Sequence, residues 1–284
     1  MSLDETWFSE PCNAGGSAIS FKIKKKLHEE QSEYQKLEVF ETEKFGRLMV
    51  IDGFIMLTQR DNFLYHEMMS HPCLFTHPNP EKVLIIGGGD CGTAKEVLKH
   101  DSVKVLHQVE IDERVTRIAE VYFPELCESN SDPRAEFHFV DGIKWVEDAE
   151  SGFYDVIIID STDPIGPAEG LFSLPFYQQC FKALGRNGIL VQQSESPLIH
   201  MSILKNMHHD MRGAGFIDSA TLFFPQSCYP TGWWSATMCC KDNTLSDFRE
   251  QDADSKSFDT QYYNAKVHQA ALCAPEFFYK ALAL

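Results

Sequence analysis

Short apolar runs alternate with amphipathic segments between residues 82 and 192, and this order limits the possible folds more than any other feature. Residues 82–86 and 154–159 are almost entirely apolar, as expected for strands that are buried on both faces. Strands that alternate with helices form a parallel sheet with helices on both sides. The pattern predicts strands at 82–86, 104–110, 136–140, 154–159 and 188–192, with helices at 93–100, 112–122, 142–150 and 173–184.

The part of the chain before residue 60 has the pattern of antiparallel strands. An extended stretch at 34–42, a turn at 43–46 and a strand at 47–51 precede Asp52-Gly53, a strong hairpin signal, and a last strand at 54–59. We therefore expect two domains: a small N-terminal antiparallel β domain over residues 1–60, and an α/β domain with a mainly parallel sheet over residues 61–284.

Two further local patterns give predictions about helix ends and loops. Asp61 is a plausible N-cap for a helix that begins at residue 62 and ends near Pro72, because proline interrupts helical hydrogen bonding. Residues 242–257 are polar and predict a loop.

Composition excludes several classes of partner. The chain has 25 basic and 42 acidic residues, a net charge of -17, which repels nucleic acid and anionic membranes. No apolar run approaches the ~18 residues of a membrane span, and the acidic start of the chain does not resemble a signal peptide. Nine scattered cysteines without a C-x-x-C pair indicate free thiols in the cytoplasm. No H-x-x-x-H pair occurs, so we expect no metal site.

Glycines and acids at the ends of three predicted strands indicate a nucleoside site. Gly87 and Gly89 belong to the run G-G-G-D-C-G, which follows the first strand and exposes backbone N–H groups to a ligand. Glu110 ends the next strand, where an acid holds ribose hydroxyls. Asp141-Gly142 ends the third, where a carboxylate can accept a hydrogen bond from an adenine amine. A glycine turn alone also serves helix packing, but the three acids together favour an adenosyl ligand.

Asp90 decides between two adenosyl ligands. The run is not a clean G-x-G-x-x-G, and the Asp90 carboxylate would repel the pyrophosphate of NAD. An adenosyl sulfonium has no phosphate and carries a positive charge, so it suits this position better.

A pair of acids marks the expected reaction site. The strand at 154–159 ends in Asp160-Ser161-Thr162-Asp163, on a loop stiffened by two prolines and a glycine. Such a loop can direct both carboxylates into the crevice at the carboxyl ends of the strands. The alternative is an Asx turn with capping carboxylates.

Several motifs, in order, resemble those of the aminopropyltransferases, and within them the spermidine synthases. The most specific is D-S-T-D-P-I-G-P-A-E-x-L-F, beginning at Asp160. The others are Gln31-Ser32-Glu33-Tyr34-Gln35, Leu48 to Gly53, Arg60-Asp61, Tyr65-His66-Glu67-Met68, Val83 to Asp90, Glu110-Ile111-Asp112, Asp141-Gly142 and Tyr229-Pro230.

The resemblance implies an enzyme that transfers the aminopropyl group of decarboxylated S-adenosylmethionine to putrescine. The products are spermidine and 5′-methylthioadenosine, and no cofactor or metal takes part. It implies a small N-terminal β domain on a Rossmann-like, methyltransferase-type domain, assembled as a homodimer or homotetramer. The acceptor stays open between putrescine, cadaverine, agmatine and spermidine.

The resemblance also implies roles for individual residues. Asp160 resembles the general base, Asp163 the acid that binds the acceptor amine, and Asp90 the acid on the donor's aminopropyl amine. Tyr65, His66 and Tyr229 resemble the polyamine side of the pocket. The nucleoside contacts are Gln35, Gly87, Gly89, Glu110, Asp141, Gly142 and Pro167. Cys91 departs from the family pattern, which has glycine or another small residue there.

Three alternatives remain at this point. A methyltransferase on the same fold would bind intact S-adenosylmethionine, whose carboxylate would face Asp90 with no basic residue in the motif. A non-catalytic polyamine-binding protein would keep Asp90 and Asp163 but would not need Asp160. An NAD-dependent oxidoreductase is disfavoured by the glycine turn.

Overall fold

An N-terminal antiparallel sheet begins the chain in the computed structural model, which describes residues 3–164 and 166–282, and of Pro167 the backbone alone. Each strand pairs with the next along the chain, so the sheet order is the chain order. The strands are β1 (Trp7–Cys12), β2 (Ser17–Gln31), β3 (Lys36–Thr42), β4 (Arg47–Ile51) and β5 (Phe54–Thr58).

A seven-stranded, mostly parallel sheet forms the rest of the fold. Its strands are β6 (Lys82–Gly87), β7 (Val105–Val109), β8 (Ala135–His138), β9 (Tyr154–Asp160), β10 (Leu184–Gln193), β11 (Asp218–Pro225) and β12 (Trp233–Cys240). The order across the sheet is β11-β12-β10-β9-β6-β7-β8. In the described part of the chain, β12 pairs antiparallel with both of its neighbours, β11 and β10, and the other pairs are parallel. This confirms the predicted fold class, a Rossmann-like, methyltransferase-type α/β fold with a small antiparallel N-terminal sheet.

Helices cover both faces of the parallel sheet. They are α1 (Asn62–Thr76), α2 (Gly92–Leu98), α3 (Glu113–Tyr122), α4 (Gly142–Asp148), α5 (Leu174–Ala183), α6 (Met201–Gly213), α7 (Glu250–Asp254), α8 (Ala265–Ala271) and α9 (Glu276–Leu282). Short 3₁₀ helices lie at Gly166–Phe172 and Pro230–Gly232. Within the described residues, no helix is long and apolar enough to cross a membrane.

Two local predictions were wrong. The first helix continues past Pro72 to Thr76, although an internal proline costs about 3 kcal/mol, because almost every residue of α1 is buried and tertiary packing outweighs that cost. The segment 242–257 contains α7, whose Ala253 is buried in the main core.

The direction in which the strands are added to the parallel sheet reverses between the neighbouring strands β6 and β9, which makes this place a topological switch point. From β6 the chain continues outward through β7 and β8, and then returns to β9 on the opposite side. Ligands bind at such a switch point, outside the carboxyl ends of the strands. Gly87 and Asp160 are register partners at this point, so the glycine turn and the acidic loop lie side by side.

The N-terminal sheet packs against the parallel-sheet part through α3. Leu37, Met49 and Leu57 share a buried cluster with Ile118 and Phe123. This apolar contact holds the N-terminal sheet over the carboxyl ends of β6 and β7, so that a cleft is enclosed between them. The division at residue 60 into two domains stays a prediction.

Candidate active site

A cleft lies at the carboxyl ends of β6, β7 and β9, with Met49, Ile51 and Met56 of the N-terminal sheet on its other side. The structure brings many of the predicted site residues to its wall: Gln35, Tyr65, Gly87, Gly89, Asp90, Glu110, Asp141, Gly142, Asp160 and Tyr229. A second cavity adjoins the first and contains Asp163. The two cavities share Met56, Tyr65, Ser161, Thr162 and Tyr229.

The glycine turn is compact because other groups occupy the space where side chains would be. Gly87 has φ +84°, and a Cβ there would lie 2.2 Å from the Asp160 carbonyl oxygen. At Gly89 a Cβ would lie 2.9 Å from Glu110 Oε2. Glycine at these positions therefore lets the turn lie directly against both acids.

Asp160 is held by two hydroxyl donors at the centre of the cleft. Tyr65 Oη donates to Oδ1 at 2.7 Å and Thr93 Oγ1 donates to Oδ2 at 2.6 Å. Burial and the charge of Asp90 raise the pKa of Asp160, although His66 and the two hydroxyl groups oppose the increase. A carboxylate oriented in this way, with a raised pKa, is well suited to accept a proton.

Asp90 forms an ion pair with His66. His66 Nε2 lies 3.2 Å from Asp90 Oδ1, and the Gly92 N–H donates to the same oxygen at 2.7 Å. Burial opposes both charges, but the pairing outweighs it, so the pKa of His66 is raised and the pKa of Asp90 is lowered. His66 is therefore a basic neighbour of Asp90, contrary to the expectation that the motif offers none.

The four residues of the Tyr65-His66-Glu67-Met68 motif contact four different parts of the fold. Tyr65 contacts Asp160 and His66 contacts Asp90, as described above. The Glu67 carboxylate accepts hydrogen bonds from the backbone N–H groups of residues 261–263, and Met68 is fully buried in the main core. A single turn of α1 thus links both acids of the site to the C-terminal part of the chain.

Glu110 lies at the inner wall of the cleft. Its side chain is almost buried, and Oε1 accepts a hydrogen bond from the Asp112 N–H at 2.9 Å. Burial, with Asp112 and Asp160 nearby, raises the pKa of Glu110 to about 7. A ligand hydroxyl that donates to Glu110 would favour the ionised form.

The other predicted nucleoside contacts have structural partners as well. Asp141 Oδ1 caps α4 by accepting from the Ile143 N–H at 2.8 Å. Gln35 Nε2 donates to Asp112 Oδ2 at 3.0 Å. At Gly142 a Cβ would lie 2.5 Å from Ile86, so this glycine allows close helix–strand packing. The Pro167 side chain, another predicted contact, lies outside the described part of the chain.

Three acids gather in the second cavity. Asp163 faces Glu195, which follows the end of β10, and Glu10 from β1 lies close to both. Burial and the charges of Glu195 and Glu10 raise the pKa of Asp163 to about 8. Burial and Glu195 likewise raise the pKa of Glu10 to about 7, despite a hydrogen bond from the Ile55 N–H. His200 Nδ1 lies 2.9 Å from Glu195 Oε2.

Tyr229 lies at the junction of the two cavities. Its hydroxyl donates to the Met56 carbonyl at 2.6 Å, and its ring packs edge-on against Tyr65 with centroids 6.0 Å apart. The hydroxyl keeps the capacity to accept a hydrogen bond from a ligand.

Sequence reasoning missed Thr93, Glu195 and Glu10. Glu195 could have been found, because it follows the carboxyl end of a predicted parallel strand, as Glu110 and Asp160 do. Thr93 lies in the first turn of the helix after the glycine run, with no sequence signal that it contacts Asp160. Glu10 comes from a strand more than 150 residues away, and only tertiary packing brings it to Asp163.

Cys91 occupies a position that favours glycine. Its φ is +69°, in the left-handed region, and its side chain is fully buried. The adjacent Cys127 thiol and burial raise the pKa of the Cys91 thiol, so it is not primed for thiolate reactivity. Cys91 is therefore a buried packing residue of the glycine turn.

Comparisons with known proteins assign the family. Residues 62–250 match the model of the spermine/spermidine synthase domain, and residues 6–59 match that of the spermidine synthase tetramerisation domain. The chain belongs to the spermine/spermidine synthase family. It is therefore an enzyme, an aminopropyltransferase of that family.

Known relatives align with this chain along nearly its whole length. The polyamine aminopropyltransferase of Thioalkalivibrio sulfidiphilus is 63% identical over 283 residues, covering 99% of each chain. That of Nitrosococcus oceani is 62% identical over 278 residues, covering 98% of this chain and 97% of the relative.

Two solved structures share the fold. A spermidine synthase in complex with the transition-state analogue AdoDATO superposes with a TM-score of 0.95 at 35% identity, covering 100% of this chain and 97% of that one. The spermidine synthase of Thermotoga maritima superposes with a TM-score of 0.93 at 34% identity, covering 100% and 96%.

Proposed function

We propose that this enzyme transfers the aminopropyl group of decarboxylated S-adenosylmethionine to putrescine, with Asp160 as the general base. The products are spermidine and 5′-methylthioadenosine. The observation that carries the proposal is the position of Asp160 on the wall of the first cleft, next to Tyr65 and Ser161, which line both this cleft and the second, acidic cavity. A neighbour in complex with AdoDATO, a transition-state analogue, supports transfer between two substrates in such a cleft.

The donor is proposed to lie in the first cleft. Glu110 accepts from its ribose hydroxyls and Asp141 from its adenine amine, with Gly87, Gly89, Gln35, Gly142 and Pro167 around the nucleoside. Asp90 would hold the ammonium of the aminopropyl group, because its lowered pKa keeps it ionised. No metal or redox cofactor has a part in this proposal, since the sulfonium is itself a good leaving group.

The acceptor is proposed to extend from Asp160 into the acidic cavity. An alkylammonium has a pKa of about 10, so deprotonating it at pH 7 costs about 4 kcal/mol, at about 1.36 kcal/mol per unit. Asp160, oriented by Tyr65 and Thr93, takes that proton while the nitrogen attacks the carbon next to sulfur. His66 acts through Asp90, and Tyr229 lines the path between the two ends.

The acids at the far end of the cavity support a diamine, such as putrescine, as the acceptor. Burial and mutual repulsion raise the pKa values of Asp163 and Glu10 in the substrate-free protein. A cation placed among these two acids and Glu195 favours their ionised forms, so a second ammonium suits this cavity. A diamine carries a cation at each end, which matches Asp160 at one end and these three acids at the other.

Assembly and location are proposed from independent features. The match of residues 6–59 to a tetramerisation domain supports a homo-oligomer, either dimer or tetramer. All nine cysteines lie in the described part of the chain and are free thiols, which supports a reducing compartment, the cytoplasm.

A product assay with several amines tests the function. We expect methylthioadenosine and spermidine, identified by mass, from decarboxylated S-adenosylmethionine and putrescine, and slower reaction with cadaverine, agmatine and spermidine. A faster reaction with another amine would replace putrescine as the proposed acceptor. Methyl transfer from intact S-adenosylmethionine, or binding of polyamines without product, would contradict the proposal.

Replacing Glu10 by Gln should stabilise the substrate-free protein while weakening acceptor binding. Folded Glu10 keeps its proton up to about pH 7, whereas the unfolded chain releases it near the ordinary value of 4.5. The folded state therefore loses stability as pH rises from 4.5 to 7, by up to about 3 kcal/mol at about 1.36 kcal/mol per unit. Glu10→Gln should restore the lost stability at pH 8 but should have no such effect at pH 4.5. It should also raise the KM for putrescine.

Urea unfolding at both pH values, with steady-state kinetics, measures the effect. Glu43→Gln is the matched control, because Glu43 is an exposed glutamate next to the same sheet and should change stability by less than about 0.5 kcal/mol. An equal change in stability at pH 4.5 and pH 8 would show that the Glu10 charge is not the cause.

A further inference from the structure

Three potential metal ligands lie on one face of the parallel sheet, at its β8 edge. His107 on β7 is the register partner of Glu136 on β8, and His138 lies two residues farther along the same strand. Residues two apart on a strand share a face, so all three side chains project to the same side. Their donor atoms lie within 4.8 Å of one another. Glu136 Oε2 is 3.5 Å from His138 Nε2 and 4.0 Å from His107 Nε2.

One imidazole nitrogen of this group lacks a hydrogen-bond partner. His138 Nε2 is buried from solvent and has no hydrogen-bond partner among the described residues. A buried polar atom without a partner is uncommon and requires an explanation. The carboxylate opposite it belongs to an exposed side chain, which can move closer without disturbing the core.

Groups behind His107 favour ligation through Nε2. Tyr154 Oη lies 2.8 Å from His107 Nδ1, and the same oxygen accepts a hydrogen bond from Trp145 Nε1 at 2.9 Å. When Nδ1–H donates to this oxygen, Nε2 carries no proton and presents its lone pair toward Glu136. Histidine ligands of metals are oriented in this way by a partner on the second nitrogen. The Trp145 ring packs on His138, with centroids 4.4 Å apart.

We propose that His107, Glu136 and His138 form a binding site for a divalent transition-metal ion of the Zn²⁺ type. Two imidazoles and a carboxylate are a common zinc ligand set, with a fourth position left for water. Tetrahedral ligands at about 2.0–2.1 Å from zinc are about 3.3 Å apart, so the side chains must close by less than about 1 Å at the two Glu136 distances.

The site is separate from the proposed reaction but lies next to the donor cleft. The Glu110 N–H donates to the His138 carbonyl at 3.0 Å, so the same pair of strands carries the metal ligands and the predicted ribose-binding acid. A bound ion would fix the edge strand β8 to β7 and stabilise that end of the sheet. The ion would have no part in aminopropyl transfer.

Calorimetric Zn²⁺ titration of the full chain tests the site. Because exposed Cys273 can also bind zinc, all proteins carry Cys273→Ser. We expect one site per chain, lost in His107→Ala and weakened at least about 10-fold in Glu136→Gln, whose exposed position should leave folding unaffected. Removing the orienting hydroxyl with Tyr154→Phe should weaken binding about 10-fold. Co²⁺ should give the visible absorption of a four- or five-coordinate ion.

The matched control is His28→Ala. His28 Nε2 lies 2.9 Å from Glu30 Oε2, a histidine–carboxylate pair on the N-terminal sheet that has no third ligand among the described residues. This variant should bind Zn²⁺ as the parent does. Unchanged affinity in both His107→Ala and Glu136→Gln would overturn the proposal, as would a Co²⁺ spectrum that is unaltered in those variants.

Discussion

Replacing Asp160 by Asn is expected to lower kcat about 10³-fold, or about 4 kcal/mol of transition-state stabilisation, while methylthioadenosine binds as before. The amide has nearly the same shape but cannot take the proton of the attacking ammonium. Steady-state kinetics and calorimetry with methylthioadenosine measure the two effects separately. Because the pKa of Asp160 is raised, we also expect activity of the parent enzyme to fall toward acidic pH as this carboxylate becomes protonated.

Asp155→Asn is the matched control for this variant. Asp155 lies on β9 as well, but at its opposite end, where the carboxylate accepts hydrogen bonds from the N–H groups of Glu81 and Lys82. An asparagine oxygen can keep such a bond, so kcat should be nearly unchanged. Near-normal turnover in Asp160→Asn would remove the general-base role, because the amide cannot take the proton. If Asp160 made a purely structural contact, the substitution would affect ligand binding as well.

Asp90→Asn is expected to abolish discrimination against intact S-adenosylmethionine. In the parent enzyme the donor's extra carboxylate would lie near Asp90, and two like charges about 4 Å apart repel by about 4 kcal/mol at an effective dielectric constant of about 20. His66 offsets part of this repulsion, so we expect about a 10²-fold preference for the decarboxylated donor. Calorimetry with both donors measures the ratio of affinities.

Asp141→Asn provides the control, because Asp141 lines the same cleft at the proposed adenine end. Its substitution should leave the ratio of the two donors unchanged. Equal affinities of the two donors for the parent enzyme would contradict the role of Asp90. The same conclusion would follow if Asp90→Asn kept the parent's preference.

The strands that carry the site could be predicted from the sequence, because strands that are buried on both faces consist of consecutive apolar residues. The apolar runs at 82–86 and 154–159 form β6 and β9 within about one residue of the predicted ends. Glycines and acids that follow such strands lie at one edge of a parallel sheet, so Asp90, Glu110 and Asp160 could be grouped without coordinates. Helix α1 was harder, because packing decided that it continues past Pro72.

Other parts of the site depend on contacts between distant segments. Thr93 and Tyr65 belong to different helices, and their joint contact with Asp160 comes from the packing of α1 and α2 beside β9. A spacing rule for helical histidine pairs also cannot detect His107 and His138, because strand pairing, rather than helical periodicity, brings them together.

The sequence by itself determined the fold class, the position of the proposed adenosyl site and the acidic loop with Asp160 and Asp163, because each depends on a few neighbouring residues. Only the tertiary structure decided how those acids are charged. Burial and neighbours on other strands raise the pKa values of Asp160 and Asp163 and lower that of Asp90. Desolvation and Coulomb interactions depend on distance in space, so the proposed division between proton acceptor and amine anchor could be assessed only once the chain was folded.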